Sequence, residues 1–241
     1  MEIKTVQMDK HAVILAGGKG TRLRPYTISM PKPLVPINEM PIIEIIIKQL
    51  IQSGFNRVTI SVNYMADMIK AYLGDGSKYG ISIDYSFEDK ELSTMGPLRL
   101  IRDLPDNFLV MNGDVLTDLN FANFCNTHTC CNNLFSISAS RRTEKIEYGV
   151  LECDKDKLVG FKEKPSNDFL VSMGVYMLNR DVLKFIPADV FFGFDHLMYK
   201  LIESNSLASV IEHKGKWFDI GRPQDYDMAN SEYSEFEFLK C

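Results

Sequence analysis

"HAVILAGGKGTRLRPYT", residues His11–Thr27, decides how the rest of the chain is read. Its first part, His11–Ala16, is a short apolar run suited to a central strand buried on both faces. The run breaks into Gly17, Gly18 and Gly20, interleaved with Lys19, Arg22 and Arg24, and Lys32 follows soon after. Glycines let backbone N–H groups come close to an anion, and the cations neutralise it. A loop of this kind, placed where a strand ends, suits a phosphate. It lacks the third glycine of G-x-G-x-x-G, so the dinucleotide fingerprint fails. It also lacks G-x-x-x-x-G-K-[ST], so it is no Walker A loop. Taken alone, it remains open to the plainer reading of a strand-to-helix turn.

Working outward, short β-rich runs alternate with helical patterns, the signature of a parallel sheet with helices on its faces. Strands are expected at Arg57–Val62, Ile81–Phe87, Asn107–Asp114 and Asn133–Ser140. Helices are expected from Pro41 to a stop at Gly54, and from Tyr64 to a stop at Gly74. "GDGSKYG" at Gly74–Gly80 follows a helix, so a cap and loop account for it. Past Arg141 the texture changes to a polar-tipped hairpin turning at Asp154-Lys155-Asp156, then a strand at Phe169–Asn179. Helices around Leu183 and over Phe194–Ser204 follow, then a strand at Ala208–His213 and a C-terminal helix beginning near Arg222. No linker-like tract or internal repeat interrupts the chain. The expectation is one domain over residues 1–241. Residues 11–140 would form its first half, 141–222 a smaller β-rich half, and 223–241 a helix and tail. The fold class is α/β, doubly wound, and ligands of such sheets lie beyond the carboxyl ends of strands at a switch in strand order.

The chain has 241 residues and a formal net charge of -5. With no basic excess to neutralise a phosphate backbone, a general nucleic-acid binder is excluded. No apolar run reaches the length of a membrane span, and the N-terminus has no apolar core of a signal peptide. Cys125, Cys130, Cys131, Cys153 and Cys241 have no Cys-x-x-Cys spacing, which argues against structural zinc and for reduced thiols in the cytoplasm. The four histidines show no ligand spacing and no nucleophile pattern.

Other motifs add cations and carboxylates. Lys32 lies between Pro31 and Pro33, which restrict the backbone to extended shapes and aim a point charge. "MNGD" ends an apolar strand in Asp114, and "WFDIGRP" supplies Asp219. Mg²⁺ takes one or two carboxylates and completes its shell with phosphates and water, so the two suit it. Taken singly, each is a cap or turn residue. "FKEKP" adds Lys164 beside Glu163, and the aromatic "VFFGF" stretch, Val190–Phe194, suits a homodimer contact.

These residues together resemble the sugar-1-phosphate nucleotidylyltransferases, from Ala12 to about Tyr226. "LAGGKGTRLRPYT", "PKPLVPI", "NGD", "YGVL", "EKP", "GVY" and "WFDIGRP" fall in that family's order. The resemblance implies a Rossmann-like mixed sheet whose first half, residues 11–140, binds the nucleotide, with a smaller β-rich sugar-binding portion over 141–222 in the second half. It implies Mg²⁺-dependent coupling of a nucleoside triphosphate to a sugar-1-phosphate, with release of pyrophosphate. Nucleotide contacts would come from Leu15, Ala16, Gly17, Gly18, Gly20, Thr21, Glu88, Gly96, Asn112 and Gly113. Arg22, Lys32, Asp114 and Lys164 would be catalytic, with Lys164 on the sugar's phosphate. Asp114 and Asp219 would hold the metal, and Tyr148, Gly149, Glu163 and Gly174 would line the sugar pocket.

The missing histidine or serine then makes sense, because a phosphate oxygen is already ionised near neutral pH. What is needed is neutralisation of approaching anions. Glu88 stands where thymidylyl- and uridylyl-type relatives often carry glutamine. An ionised carboxylate only accepts hydrogen bonds, which matches guanine N1–H and N2–H and favours GTP over UTP, dTTP or CTP. "LSTMGPL" departs from the L-G-T-A-G-P-L of guanylyl-type relatives at Ser93 and Met95. The sugar stays open among mannose, manno-heptose and hexosamine types. A non-catalytic regulatory paralogue is the alternative of another class.

Overall fold

The computed structural model describes residues 10–206 and 208–232. Cys241 and residues 233–241 of the anticipated tail lie outside the described residues. In chain order the strands are β1 (His11–Leu15), β2 (Pro36–Ile37), β3 (Met40–Pro41), β4 (Arg57–Val62), β5 (Ser82–Phe87), β6 (Asn107–Asn112) and β7 (Val115–Thr117). They continue as β8 (Phe135–Lys145), β9 (Val150–Asp154), β10 (Lys157–Lys162), β11 (Ser166–Asn179), β12 (Ser209–His213) and β13 (Trp217–Asp219). The α-helices are α1 (Ile42–Gln52), α2 (Ala66–Leu73), α3 (Phe121–Cys130), α4 (Phe194–Glu203) and α5 (Pro223–Glu232).

Seven strands form one mixed sheet in the order β12-β8-β11-β6-β1-β4-β5. β11 runs antiparallel to both neighbours, and the other pairings in this sheet are parallel. β1 therefore sits between β4 and β6, where the strand order reverses direction. Its side chains alternate between the two faces, as the period of a strand requires. Ala12 and Ile14 enter one apolar core with α1, while Val13 enters the other with Phe108, Val110 and Leu197 of α4. The anticipated α/β class, helices covering both faces of a mixed sheet, is what the chain adopts.

Packing explains α1 better than propensity does. Ile42, Ile43, Ile45, Ile46 and Ile47 are fully buried, and each contributes roughly 1.5–3 kcal/mol by leaving water. That outweighs the few tenths of a kcal/mol by which a β-branched residue disfavours a helix. Gly54, at φ 82°, and Gly74, at φ 64°, end α1 and α2 in the left-handed half of backbone space, as their positions predict.

In the second half, β8 and β11 outrun the sheet as a ribbon paired from Phe135–Leu178 to Lys145–Ser166. The β9–β10 hairpin grows from its end and turns through Lys155 at φ 53°. Three features differ from the sequence expectation. The segment around Leu183 is a 3₁₀ helix, Arg180–Phe185, started by the Asn179 side chain accepting from the Asp181 N–H at 3.0 Å. Helix α3 was not anticipated. It rests on an Asn120 cap that accepts from the Asn123 N–H at 2.9 Å, and its Asn, Thr, His and Cys residues are weak helix formers. The pairing of β13 with β7 was not anticipated either.

Candidate active site

Where β1 ends, the Ala16 N–H donates to Ser61 O at 2.8 Å and the chain turns into the glycine loop. Gly20 takes φ 61°, and a Cβ there would lie 3.0 Å from the Lys32 Cβ and 3.1 Å from a methyl of Thr27. The Thr27 hydroxyl fixes this corner by donating to Gly20 O at 2.7 Å. The loop borders a cleft of about 670 Å³ at the carboxyl ends of β1 and β6. Leu15, Ala16, Gly17, Gly18, Gly20, Thr21, Lys32, Glu88, Asn112, Gly113 and Asp114 all line it. Lys19, one of the loop cations, lines it too, whereas the sequence reading missed Asn63 and the Asp89–Glu91 rim. Asn63 had a signal, since it follows directly on a strand adjacent to β1.

Lys32 is buried, with 9% of its surface exposed. Its backbone corrects the expectation of an extended segment. Lys32–Leu34 is a single 3₁₀ turn, closed by the Leu34 N–H to Pro31 O at 2.9 Å and the Val35 N–H to Lys32 O at 3.0 Å. Pro33 fits such a turn because its missing N–H would have no partner there. The Lys32 ammonium forms an ion pair with Asp114 Oδ2.

Asp114 follows β6 in the turn to β7. Strand β13 pairs with β7 in the register Asp219–Val115, and the Ile220 N–H donates to Asp114 O at 3.0 Å. This pairing carries Asp219 beside Asp114 from far along the chain. Burial raises the Asp219 carboxyl above its ordinary range, and the neighbouring Asp114 raises it further; Lys32 and Arg22 oppose both. Arg22, on the 3₁₀ turn Thr21–Leu23, faces the same place. A Cβ on Gly221 would lie 3.7 Å from Arg22 Nη2 and 3.6 Å from both Asp219 carboxylate oxygens.

Glu88 closes the other end of the cleft. Its Oε1 accepts from the Ser61 hydroxyl at 2.9 Å and its Oε2 from the Leu92 N–H at 3.4 Å. Burial raises its pKa, while those two donors pull it down. A Cβ on Gly17 would sit 2.8 Å from Glu88 Oε1, so any side chain there would push the Glu88 carboxylate out of its place.

The remaining candidates lie elsewhere. Gly96 does not line the cleft, contrary to expectation. Its N–H donates to Phe192 O at 2.9 Å, and a Cβ would come within 2.9 Å of Val190 O, so packing demands this glycine. Tyr148, Gly149, Glu163 and Lys164 gather at the base of the β9–β10 hairpin, outside the cleft lining. A Cβ on Gly149 would lie 2.6 Å from the Phe161 ring and 3.2 Å from Glu163 Oε2, and Tyr148 is 78% exposed. Gly174 connects the two regions. It takes φ 74° in a bulge of β11, and a Cβ there would fall 2.6 Å from Asn112 Nδ2 in the cleft.

Among the described residues, no three His, Cys, Asp or Glu side chains form a metal cluster. The Asp114–Asp219 pair nonetheless fits a hard divalent cation that takes few protein ligands. Asp114 Oδ1 is buried with no hydrogen-bond partner, which is the condition of an oxygen that accepts a ligand from outside the chain.

A glycine loop, two cations and two carboxylates thus lie together at a strand-order switch, and comparison with known proteins gives the lineage. The family model described as nucleotidyl transferase matches residues 11–235, and the chain belongs to that family. Over 226 residues it is 36% identical to a protein of Oryza sativa subsp. japonica named probable mannose-1-phosphate guanylyltransferase 1, across 89% of this chain and 62% of that one. Over 240 residues it is 32% identical to a UTP–glucose-1-phosphate uridylyltransferase of Synechocystis sp., across 90% of this chain and 62% of that one. The chain therefore spans a little under two thirds of the length of these relatives. Among solved structures, HddC from Yersinia pseudotuberculosis is 26% identical, with a TM-score of 0.72 over 93% of this chain and 99% of that one. A structure of HddC described as complexed with GMP-PN gives a TM-score of 0.69. No described helix is long and apolar enough to cross a membrane.

Proposed function

We propose that this chain transfers the nucleotidyl group of a nucleoside triphosphate to a sugar-1-phosphate, releasing pyrophosphate. The observation that carries the reading is the convergence of the Gly17–Gly20 loop, Lys32 and Asp114 on one cleft at the switch between β1 and β6, with Asp219 carried next to Asp114 by the β7–β13 pairing. A phosphate oxygen of the sugar-1-phosphate attacks the α-phosphorus. The bond from that phosphorus to the bridging oxygen breaks, and pyrophosphate leaves with the electron pair. No proton has to be removed from the nucleophile, and accordingly no histidine lines the cleft. The chain's work is to neutralise and align.

Backbone N–H groups of Gly17–Gly20 cradle the triphosphate, while Arg22 and Lys32 neutralise its oxygens. Lys164 holds the phosphate of the sugar, and Tyr148, Gly149, Glu163 and Gly174 shape the sugar pocket. Asp114 and Asp219 are the residues that would hold Mg²⁺, which when bound spreads the charge of the reacting phosphates. Glu88 supports guanine as the base, because its carboxylate offers two acceptors to guanine's two adjacent donors. The exposed Val190 and Phe191 support a homodimer contact. Free thiols at Cys125, Cys130, Cys131 and Cys153 agree with a cytoplasmic setting.

The test is pyrophosphate release across a matrix of four nucleoside triphosphates and several sugar-1-phosphates. Release with GTP and a manno-configured sugar-1-phosphate is expected, and the Asp114→Asn variant should lose most of it. No release from any pair would overturn the activity, and a preference for UTP or dTTP in direct competition would overturn the base.

A further inference from the structure

The ion pair between Lys32 and Asp114 sets two functions against each other. One side chain is assigned to phosphate oxygens and the other to a divalent cation, yet here each occupies the other. We propose that Lys32 is an exchangeable counter-ion, holding Asp114 until a divalent cation replaces it and thereby becoming free to meet the phosphates. This rests on the reading of Asp114 and Asp219 as the cation's ligands.

Several observations support the exchange. The side chains around this point balance, with Arg22 and Lys32 against Asp114 and Asp219, and Lys32 and Arg22 both act on the Asp219 carboxyl. A dication arriving while the ammonium stays would contest Asp114 Oδ2 with it. The stem of Lys32 is held by the 3₁₀ turn beneath it and by close packing on Gly20, so the exchange needs only the outer part of the side chain to move. Asp114 Oδ1, buried and without a hydrogen-bond partner, remains for the cation to engage.

The consequence is cooperative binding. Displacing a largely buried ammonium from its carboxylate leaves it unpaired, which is costly when nothing else is bound. With a triphosphate in the cleft, the ammonium gains a new anionic partner, and the cost disappears. Cation and nucleotide should then strengthen each other's binding, and the free protein should bind a bare divalent cation weakly.

The experiment titrates Mn²⁺ alone into the protein without nucleotide, following free Mn²⁺ by electron paramagnetic resonance. Lys32→Met keeps the stem and removes the charge, and it should bind Mn²⁺ about tenfold more tightly than the wild type or better. Lys32→Arg should stay near wild type, and combining Lys32→Met with Asp114→Asn should abolish the gain. Thermal melts supply a second readout: Mn²⁺ should raise the melting temperature of Lys32→Met, or of Lys32→Gln, more than that of the wild type. Unchanged or weaker Mn²⁺ binding by both charge-removing variants would overturn the proposal, as would a gain that survives Asp114→Asn. Pyrophosphate release by the wild type tests the transferase reading separately, so failure of one is distinguishable from failure of the other.

Discussion

His128 provides a stability prediction that can be worked through to a number. It lies on α3, fully buried, with Nδ1 2.8 Å from the Ser136 hydroxyl and Nε2 3.2 Å from Asn107 Oδ1. The Asn133 amide donates to Ser136 Oγ at 3.1 Å, so the hydroxyl proton is free to point at Nδ1. Asn107 Oδ1 can only accept, so Nε2 carries the ring proton. This network satisfies a neutral imidazole, and a second proton on Nδ1 would cost it the hydroxyl's donated bond and bury an unpaired charge. Burial accordingly pushes the pKa from 6.5 down to about 4.

A depressed value means that the unfolded chain takes up a proton which the folded chain refuses. The stabilisation is therefore complete above pH 6.5 and is lost as the pH falls toward 4. Linkage puts the loss from this residue at about 2 kcal/mol by pH 5 and about 3 kcal/mol by pH 4. Urea unfolding at pH 7, 6, 5 and 4 should show it as a wild-type stability that declines more steeply than that of His128→Gln. The glutamine variant starts less stable but has no imidazole to titrate, and taking the difference cancels other titrating groups. Parallel declines in the two proteins would refute the reasoning.

Three further outcomes are expected. Because burial raises the Glu88 carboxyl, its protonation begins above the ordinary carboxylate range, and a protonated carboxyl donates as well as accepts. The ratio of kcat/KM for GTP over UTP should thus fall as the pH is lowered through that region, and a flat ratio would remove Glu88 from base selection. Lys164→Ala should raise KM for the sugar-1-phosphate, whereas Lys32→Ala should mainly lower kcat, each by roughly ten- to a hundredfold. Identical kinetics for Lys164→Ala and wild type would return that lysine to an ordinary charged edge. Ser93 takes φ 64°, a region that glycine occupies without strain, and it stands where guanylyl-type relatives tend to carry glycine. Ser93→Gly should therefore stabilise the fold by about 1 kcal/mol, and a lowered urea midpoint would contradict this.

What could be read from the sequence follows the range of the interactions involved. The glycine loop, Lys32 and the strand His11–Leu15 are written locally, because backbone conformation and charge depend on near neighbours. The cleft they build with Asn112–Asp114 was legible for that reason. Asp219 was paired with Asp114 on residue chemistry and resemblance alone, since its place beside Asp114 depends on a short β7–β13 ladder that no local pattern announces. Lys32 lines the cleft but was given the wrong backbone, because proline's fixed φ is compatible with both an extended segment and the first turn of a 3₁₀ helix. Gly96 shows the opposite error. Glycine in a motif reads as ligand contact, and only the approach of Val190 O reveals that packing excludes a side chain there.

The same distinction explains how the two halves are held together. Gly174 lies where β11 advances from Ser172 to Tyr176 while β8 advances only from Ala139 to Ile137, so extra residues bulge toward Asn112. Among the bonds that tie the bulge, the Ser172 and Tyr176 hydroxyls lie 3.0 Å apart, and the Trp217 indole N–H donates to Met173 O at 3.0 Å. Trp217 is also the first residue of β13, the strand that carries Asp219. One side chain thereby fixes the bulge beside the cleft relative to the strand bearing the second carboxylate. An in-line displacement between two bound phosphates tolerates little misplacement. The proposed reaction therefore needs this cross-connection between β11 and β13 as well as the charged groups, because it ties the bulge beside Asn112 to the strand that carries Asp219.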